Sequence, residues 1–329
     1  MAEPVSEGPI AVPGSSYGTE THRPRRRTAL GYALAFSAAV LWGTLGIFAV
    51  LIYRYSLDPV VLVTLRAGIA ALALLIILCI ADRSALHVEL KDVPFFIAFG
   101  LFSVALNYVS YFEAIARTSA TTAVVLLYTS PIFVAIAASF AFGERITAAK
   151  GIAFVVTLAG CLLVVGGYDS TRLVADPEGV ALGIAAAVTY ASYTILSKYS
   201  LAKYRSSTTV LYALAFGSLF LIIFSAPRLG QIASLPWRAW ILVAAVALGP
   251  TLGSYALYVG ALNYIEASHA GIVCMAEPVA TGILAYVILG ERMEGLQVVG
   301  AITVVLGVLI LQLRPRNLSQ SPNDRSTPA

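Results

Sequence analysis

Residues 111–145 read YFEAIARTSATTAVVLLYTSPIFVAIAASFAFGER, and residues 258–292 read YVGALNYIEASHAGIVCMAEPVATGILAYVILGER. At an offset of 147 the two stretches align without a gap. Tyr111 meets Tyr258, Ala114 meets Ala261, Ala120 meets Ala267, Pro131 meets Pro278, and Gly143-Glu144-Arg145 meets Gly290-Glu291-Arg292. The match runs on to Gly160 and Gly307, so Tyr111–Leu163 repeats as Tyr258–Ile310. Apolar segments agree by chance in Ala and Val. A proline followed twelve residues later by Gly-Glu-Arg, in one register, marks an internal duplication. At an offset of 148 the repeat reaches the first apolar run, where Ala38-Ala39-Val40-Leu41-Trp42 faces Ala186-Ala187-Val188-Thr189-Tyr190.

The composition places these repeats in a bilayer. Of 329 residues, 59% are hydrophobic and 12% are charged, with net charge +4; soluble domains carry about 25% charged residues. A water-facing surface cannot be assembled from so few charges, which excludes a soluble enzyme, a disordered chain and a protein that binds nucleic acid on a basic surface. Cys79, Cys161 and Cys274 lie far apart within apolar runs. They offer neither metal-ligand spacing nor a disulfide framework, and no cofactor motif is present.

A membrane helix needs about 20 apolar residues. Apolar runs centre on 30–53, 59–81, 94–116, 120–142, 150–167, 178–200, 208–226, 239–263, 268–290 and 295–313. The expected fold is an all-α integral membrane protein of ten transmembrane helices. Its parts are an N-terminal tail of residues 1–29 that reads as disordered, a first five-helix repeat at 30–168, a second at 178–313, and a polar tail at 314–329. The first apolar run reads as an uncleaved signal anchor. Fourteen of the 21 Lys and Arg fall on the side of the N-terminus, six fall on the other side, and Arg66 is embedded. The positive-inside rule then puts both termini in the cytoplasm of a multi-pass cell-membrane protein.

A repeat of five helices is odd, so two tandem copies enter the membrane in opposite senses. Such inverted-topology repeats are a common plan of secondary transporters, whose substrate site lies near the midplane between the halves. The architecture resembles the drug/metabolite transporter superfamily of EamA type. So do Leu41-Trp42-Gly43, the position of Arg66, the stretch from Thr118-Ser119-Ala120 through Pro131 to Gly143-Glu144-Arg145, and Glu277-Pro278 through Gly290-Glu291-Arg292. The resemblance covers about residues 30–313. It implies a basket-like bundle around a central cavity and transport of amino acids, related metabolites or drugs, frequently as export.

Helical stripes identify the cavity independently. Positions i, i+3, i+4 and i+7 share a face, and polar groups are costly against lipid. Ser103, Asn107 and Ser110 form such a stripe in span three, Tyr190, Tyr193, Thr194 and Ser197 in span six, and Thr251, Ser254, Tyr255 and Tyr258 in span eight. Spans one, four and nine contribute Trp42 and Thr44, Tyr128 and Thr129, and His269, Glu277 and Thr281. Spans 1, 3, 4, 6, 8 and 9 should surround the interior, and spans 2, 5, 7 and 10 should be peripheral. Small residues at Ala153/Gly160 and Gly300/Gly307 suit close helix contact, within the fold or between two copies in a homodimer.

The candidate substrate contacts are Trp42, Asn107, Tyr111, Tyr128, Tyr190, Thr194, Tyr255 and Glu277. The rings could equally belong to an interfacial belt, an assignment that better suits Tyr53, Tyr55, Tyr204 and Trp237. Glu277 lies ~13 Å into its span. It could bind a substrate ammonium, load a proton and couple transport to a proton gradient, or stay neutral or paired and tie two helices together. Arg66 could engage a substrate carboxylate or make a structural pair with a carboxylate or backbone carbonyls. Glu113 is either solvated or paired with Arg117 at i+4. His269 reads as a loop-end residue, and Glu144 and Glu291 as groups that cap and orient helices. Pro131 and Pro278 relax the helix backbone at matching places and would permit gate motions.

These features point to a secondary transporter of a small polar or amphipathic metabolite working by alternating access, and the family resemblance implies amino acids or related compounds as cargo and export as direction. Nucleosides, nucleotide sugars or cationic drugs are the alternative cargo, and a non-transporting sensor or scaffold is the alternative class. The sequence has no Walker A motif, no His-Glu-x-x-His and no intramembrane aspartyl-protease motif, so neither direct ATP coupling nor enzyme chemistry is indicated.

Overall fold

A computed structural model of the chain describes residues 25–173 and 176–312. Of the expected tails, residues 1–24 and 314–329 lie outside the described residues, whereas residues 25–29, expected to be disordered, belong to the first helix. Ten helical segments follow in order: α1 (Arg25–Tyr53), α2 (Pro59–Ala81), α3 (Leu90–Arg117), α4 (Ala120–Phe142), α5 (Ala148–Val164), α6 (Pro177–Ser200), α7 (Ser206–Ser234), α8 (Trp237–Ala261), α9 (Ala267–Leu289) and α10 (Gly295–Gln312). No strand occurs among the described residues. Eight of these segments are long and apolar enough to cross a membrane, and α5 and α10 are shorter apolar helices. The fold is the ten-helix membrane bundle of two inverted repeats.

Local chemistry sets the helix ends. Asp58, Ser119, Thr147 and Asp176 each accept a backbone N–H in the first turn of the helix that follows, at 2.8–3.3 Å. This satisfies donors that a helix start otherwise leaves bare. Pro59 and Pro177 occupy first turns, where a missing N–H costs nothing. Gly143 and Gly290, equivalent in the two repeats, end α4 and α9 in left-handed conformation with φ of 67° and 72°. That conformation strains any side chain bearing a Cβ.

Helices pair across the repeats. The faces of α5 and α10 meet at the small residues singled out by the sequence. A Cβ on Gly160 would lie 2.7 Å from the Val304 nitrogen, and one on Gly300 would lie 2.8 Å from the Gly160 carbonyl oxygen. Of the two uses open for those residues, the structure shows contact within one chain. Helix α2 likewise packs on α7, where buried Thr64 reaches Ser225 Oγ at 3.2 Å.

The six remaining helices form two groups, each with a member borrowed from the other repeat. Helix α1 packs on α8 and α9, and α6 packs on α3 and α4. The approach is close: a Cβ on Gly43 would lie 2.8 Å from Ala280 Cβ, and one on Gly183 would lie 2.5 Å from Leu126 Cδ1. The polar stripes of α3, α6 and α8 therefore converge between the groups.

Candidate functional site

Interrupted helices build the site. Helix α4 divides into Ala120–Leu127 and Ser130–Phe142, and α9 divides into Ala267–Cys274 and Glu277–Leu284. Pro131 and Pro278 are each the second residue of a second half, so the expected relaxation falls just before them, at Tyr128-Thr129 and Met275-Ala276. Proline cannot donate to the preceding turn, and side chains bond carbonyls beside both breaks. Leu126 O accepts from Thr129 Oγ1 at 2.6 Å, and Met275 O accepts from Cys161 Sγ at 3.3 Å. Wider π-helical turns interrupt α3 at Leu101–Ala105 and α8 at Ala247–Gly253, the latter around Pro250. Such turns re-aim the side chains that follow them.

Trp42, Ser103, Asn107, Tyr190, Tyr193, Thr194, Tyr255 and Tyr258 enclose one central space. Five of the expected contacts (Trp42, Asn107, Tyr190, Thr194 and Tyr255) are thus brought together. The Trp42 ring lies 5.6 Å from Tyr255 and 5.3 Å from Tyr258, and Tyr193 lies 4.8 Å from Tyr255. These separations suit edge and offset packing of aromatic quadrupoles. The space holds about 10 Å³, room for roughly one water. Thr194 and Tyr258 share a hydrogen bond of 2.6 Å. Asn107 donates to the Ala186 carbonyl at 2.9 Å, which ties α3 to α6. The buried Tyr193 hydroxyl and Ser197 Oγ, one turn apart, have no well-formed hydrogen bond.

Arg66 stands beside this space. It is 6% exposed. Its guanidinium donates to Thr251 Oγ1 at 3.1 Å and to the Tyr108 hydroxyl, with its carbon 4.8 Å from the Tyr108 ring centroid. The expected alternatives were a carboxylate, a backbone carbonyl or a substrate. The structure supplies hydroxyls and a ring face, and no carboxylate pairs with Arg66 among the described residues. Tyr108, absent from the expected set, bonds Tyr255 at 3.2 Å. Its signal was the repeat itself, because Tyr108 and Tyr255 share the 147-residue offset just upstream of the strongest match.

Tyr111, Tyr128 and Glu277, also expected as contacts, are not among the residues that enclose this space. Glu277 opens the second half of α9 and is half-buried. Tyr128 packs with Met275, Ala276 and Val279 at the break of α9. Glu113 lies apart and exposed, and the partner of Arg117 is Glu178 at 2.5 Å.

Glu144 has more to do than cap its own helix. It is 7% exposed and reaches the start of α9, whose first residues lack a local side-chain cap. Oε1 accepts from Ala267 N at 2.8 Å and Lys198 Nζ at 2.6 Å, and Oε2 accepts from Ser268 N at 3.2 Å and Ser268 Oγ at 2.6 Å. Burial opposes ionisation of this carboxyl. Lys198 and the three donors of α9 outweigh it and hold the pKa at about 2. Lys150 pairs with Glu266 at 2.5 Å, and His269 Nδ1 shares a hydrogen bond of 2.8 Å with the Tyr32 hydroxyl of α1. His269 is thus part of a cluster joining α1, α5, α6 and α9.

The sequence model of the EamA-like transporter family matches residues 29–166 and again 177–313. An uncharacterized transporter of Archaeoglobus fulgidus is 28% identical over 282 residues, which cover 85% of this chain and 95% of that protein. The uncharacterized inner membrane transporter YicL of Salmonella typhimurium is 26% identical over 291 residues, 86% of this chain and 95% of its own. A solved crystal structure superposes with a TM-score of 0.71 at 21% identity, covering 88% of this chain and 99% of that one. At that identity the likeness concerns the fold.

Proposed function

The chain belongs to the EamA-like transporter family, and on that premise we propose that this multi-pass membrane transporter exports a small metabolite bearing a carboxylate, with amino acids and related compounds foremost. The observation that carries this reading is Arg66, a buried guanidinium with hydroxyl neighbours and no carboxylate partner among the described residues. An ionised group deep in a bilayer marks a substrate or ion pathway by default, and a guanidinium fork matches a carboxylate with two parallel hydrogen bonds. The aromatic walls take the apolar part of the substrate. Glu277, half-buried at the start of the second half of α9, takes its ammonium or a coupling proton.

Transport proceeds by alternating access between the two helix groups, with repeats at 30–168 and 178–313 exchanging roles. The excess of Lys and Arg on the N-terminal side orients that side to the cytoplasm of a cell membrane. A second reading rests on the rings of Trp42, Tyr190, Tyr193, Tyr255 and Tyr258, which would also sandwich a nucleobase.

Reconstituted counterflow with a panel of amino acids, nucleosides and cationic drugs, with and without a pH gradient, tests the proposal. Exchange of carboxylate-bearing amino acids that Arg66→Met abolishes is the expected result. Exchange of uncharged nucleosides or cationic drugs alone, indifferent to Arg66→Met, would overturn it.

A further inference from the structure

The two repeats are equivalent in sequence and unequal in contact. The second half of α4, Ser130–Phe142, packs on the first half of α9, Ala267–Cys274. Exchanging the repeats turns this pair into the first half of α4, Ala120–Leu127, against the second half of α9, Glu277–Leu284, and these two make no comparable pairing. The helix groups therefore meet at the membrane face that carries Glu144, and no comparable helix contact joins them at the face that carries Glu291.

The polar contacts show the same asymmetry. Glu144 belongs to the α3–α4–α6 group, and Lys198 of α6 lies within that group. The three donors at Ala267 and Ser268 belong to α9 in the opposite group. One buried carboxylate thus crosses the boundary between the groups and closes a helix start that has no side-chain cap of its own. Under the repeat offset Glu144 becomes Glu291, Ala267 becomes Ala120, and Ser268 becomes Thr121. Glu291 is exposed and makes no ion pair among the described residues, and the start of α4 is closed locally by Ser119 Oγ on Thr122 N at 3.0 Å.

We propose that Glu144 is one of two alternating clasps: it holds the helix groups shut on its own face in the state seen here, and Glu291 takes the start of α4 at Ala120 and Thr121 when that face opens and the other shuts. The two clasps compete, since the same rocking that separates Glu144 from Ala267 brings Glu291 toward Ala120. They are also unequal. Lys150 and Lys198 beside Glu144 have Gln297 and the apolar Val50-Leu51 as their counterparts, so the Glu144 clasp is the stronger and the state closed at Glu144 is the resting one. The proposal rests on the alternating-access reading given above.

Spin-label distance measurements on the full chain in lipid nanodiscs test it. Labels at Ile146→Cys and Asn263→Cys report the Glu144 face, and labels at Ala120→Cys and Arg292→Cys report the Glu291 face. Cys79, the exposed native thiol, is replaced by Ser. Glu144→Gln should raise the population open at the Glu144 face and closed at the Glu291 face about tenfold, the worth of one charge-assisted buried hydrogen bond. Ser268→Ala, a milder change at the receiving end, should move it the same way by about threefold. Glu291→Gln should move it the opposite way, and the double variant Glu144→Gln/Glu291→Gln should lie between. Wild-type protein that exchanges between two states while ignoring all four variants would overturn the clasps and leave alternating access standing. Distances that stay fixed at both faces in protein that still performs counterflow would overturn alternating access and the clasps with it.

Discussion

The hydroxyls of Tyr108 and Tyr255 meet at 3.2 Å, 147 residues apart. They are the same position of the two repeats. When equivalent positions of two inverted copies touch, the contact lies on the pseudo-two-fold axis relating them, near the bilayer centre. Arg66 donates to Tyr108 at this point, so a single positive charge sits where the symmetry of the fold is most exact and where no second copy of it exists. Arg66→Met should lower counterflow of carboxylate-bearing substrates at least a hundredfold. Arg66→Lys keeps the charge without the planar fork and should recover part of that loss. Tyr108→Phe, which frees one guanidinium donor, should raise the substrate concentration for half-maximal exchange several-fold with little change in maximal rate.

Glu277 separates two coupling schemes. If it loads a proton, Glu277→Gln should abolish the dependence of uptake on an imposed pH gradient while leaving equilibrium exchange of substrate. If it holds the substrate ammonium, the same variant should weaken exchange more than tenfold at every pH. Uptake measured with and without the gradient distinguishes the outcomes, and unchanged behaviour in both arms removes Glu277 from the mechanism.

Pro131 and Pro278 follow the two helix breaks. Pro→Ala restores a donor and lets each helix run through, which should slow transport severalfold more than it lowers folded yield. Rate per folded molecule, with yield read by size-exclusion chromatography, checks this. Losses of equal size in rate and yield would show that the prolines serve folding only.

The ionisation of Glu144 gives a stability prediction with a definite sign. Its folded pKa, about 2, lies below the ordinary 4.5, so its contribution is complete above pH 4.5 and is lost as pH falls toward 2. The difference of about 2.5 units corresponds to roughly 3 kcal/mol. The Tm advantage of wild type over Glu144→Gln should be constant from pH 8 to 5 and shrink below 4.5, as followed by thermal unfolding in detergent. An advantage that shrinks between pH 8 and 6 would show that another group controls the contact.

The ten helices and their duplication are legible in the sequence because apolar length and a Pro-to-Gly-Glu-Arg register are local signals. The aromatic and hydroxyl lining is legible because helical periodicity needs only one span at a time. What escapes is contact between distant spans. Asp58, Ser119, Thr147 and Asp176 cap the helices they precede and can be found by spacing. Glu144 caps α9 from 123 residues away, and no spacing rule reaches it. Arg66 was legible as a buried charge, but hydroxyl partners on two other helices leave no pattern in its own span. Between the widened turns of α3 and α8, that of α8 carries a proline and that of α3 carries none, so of this pair only one had a residue to announce it.

The lending of α1 to the second repeat and of α6 to the first has a consequence for biosynthesis. Helix α1 enters the membrane early, yet its packing partner α9 begins at Ala267, more than two hundred residues after α1 ends at Tyr53. At about 5–20 residues per second, translation needs on the order of ten seconds or more to deliver it. During that interval α1 presents Trp42 and its small-residue face to lipid or to whatever attends the ribosome, and the first repeat waits incomplete. The nascent chain is therefore most open to capture by quality control in its first half. A truncated product ending in the connection at 165–176 would be inserted but unassembled.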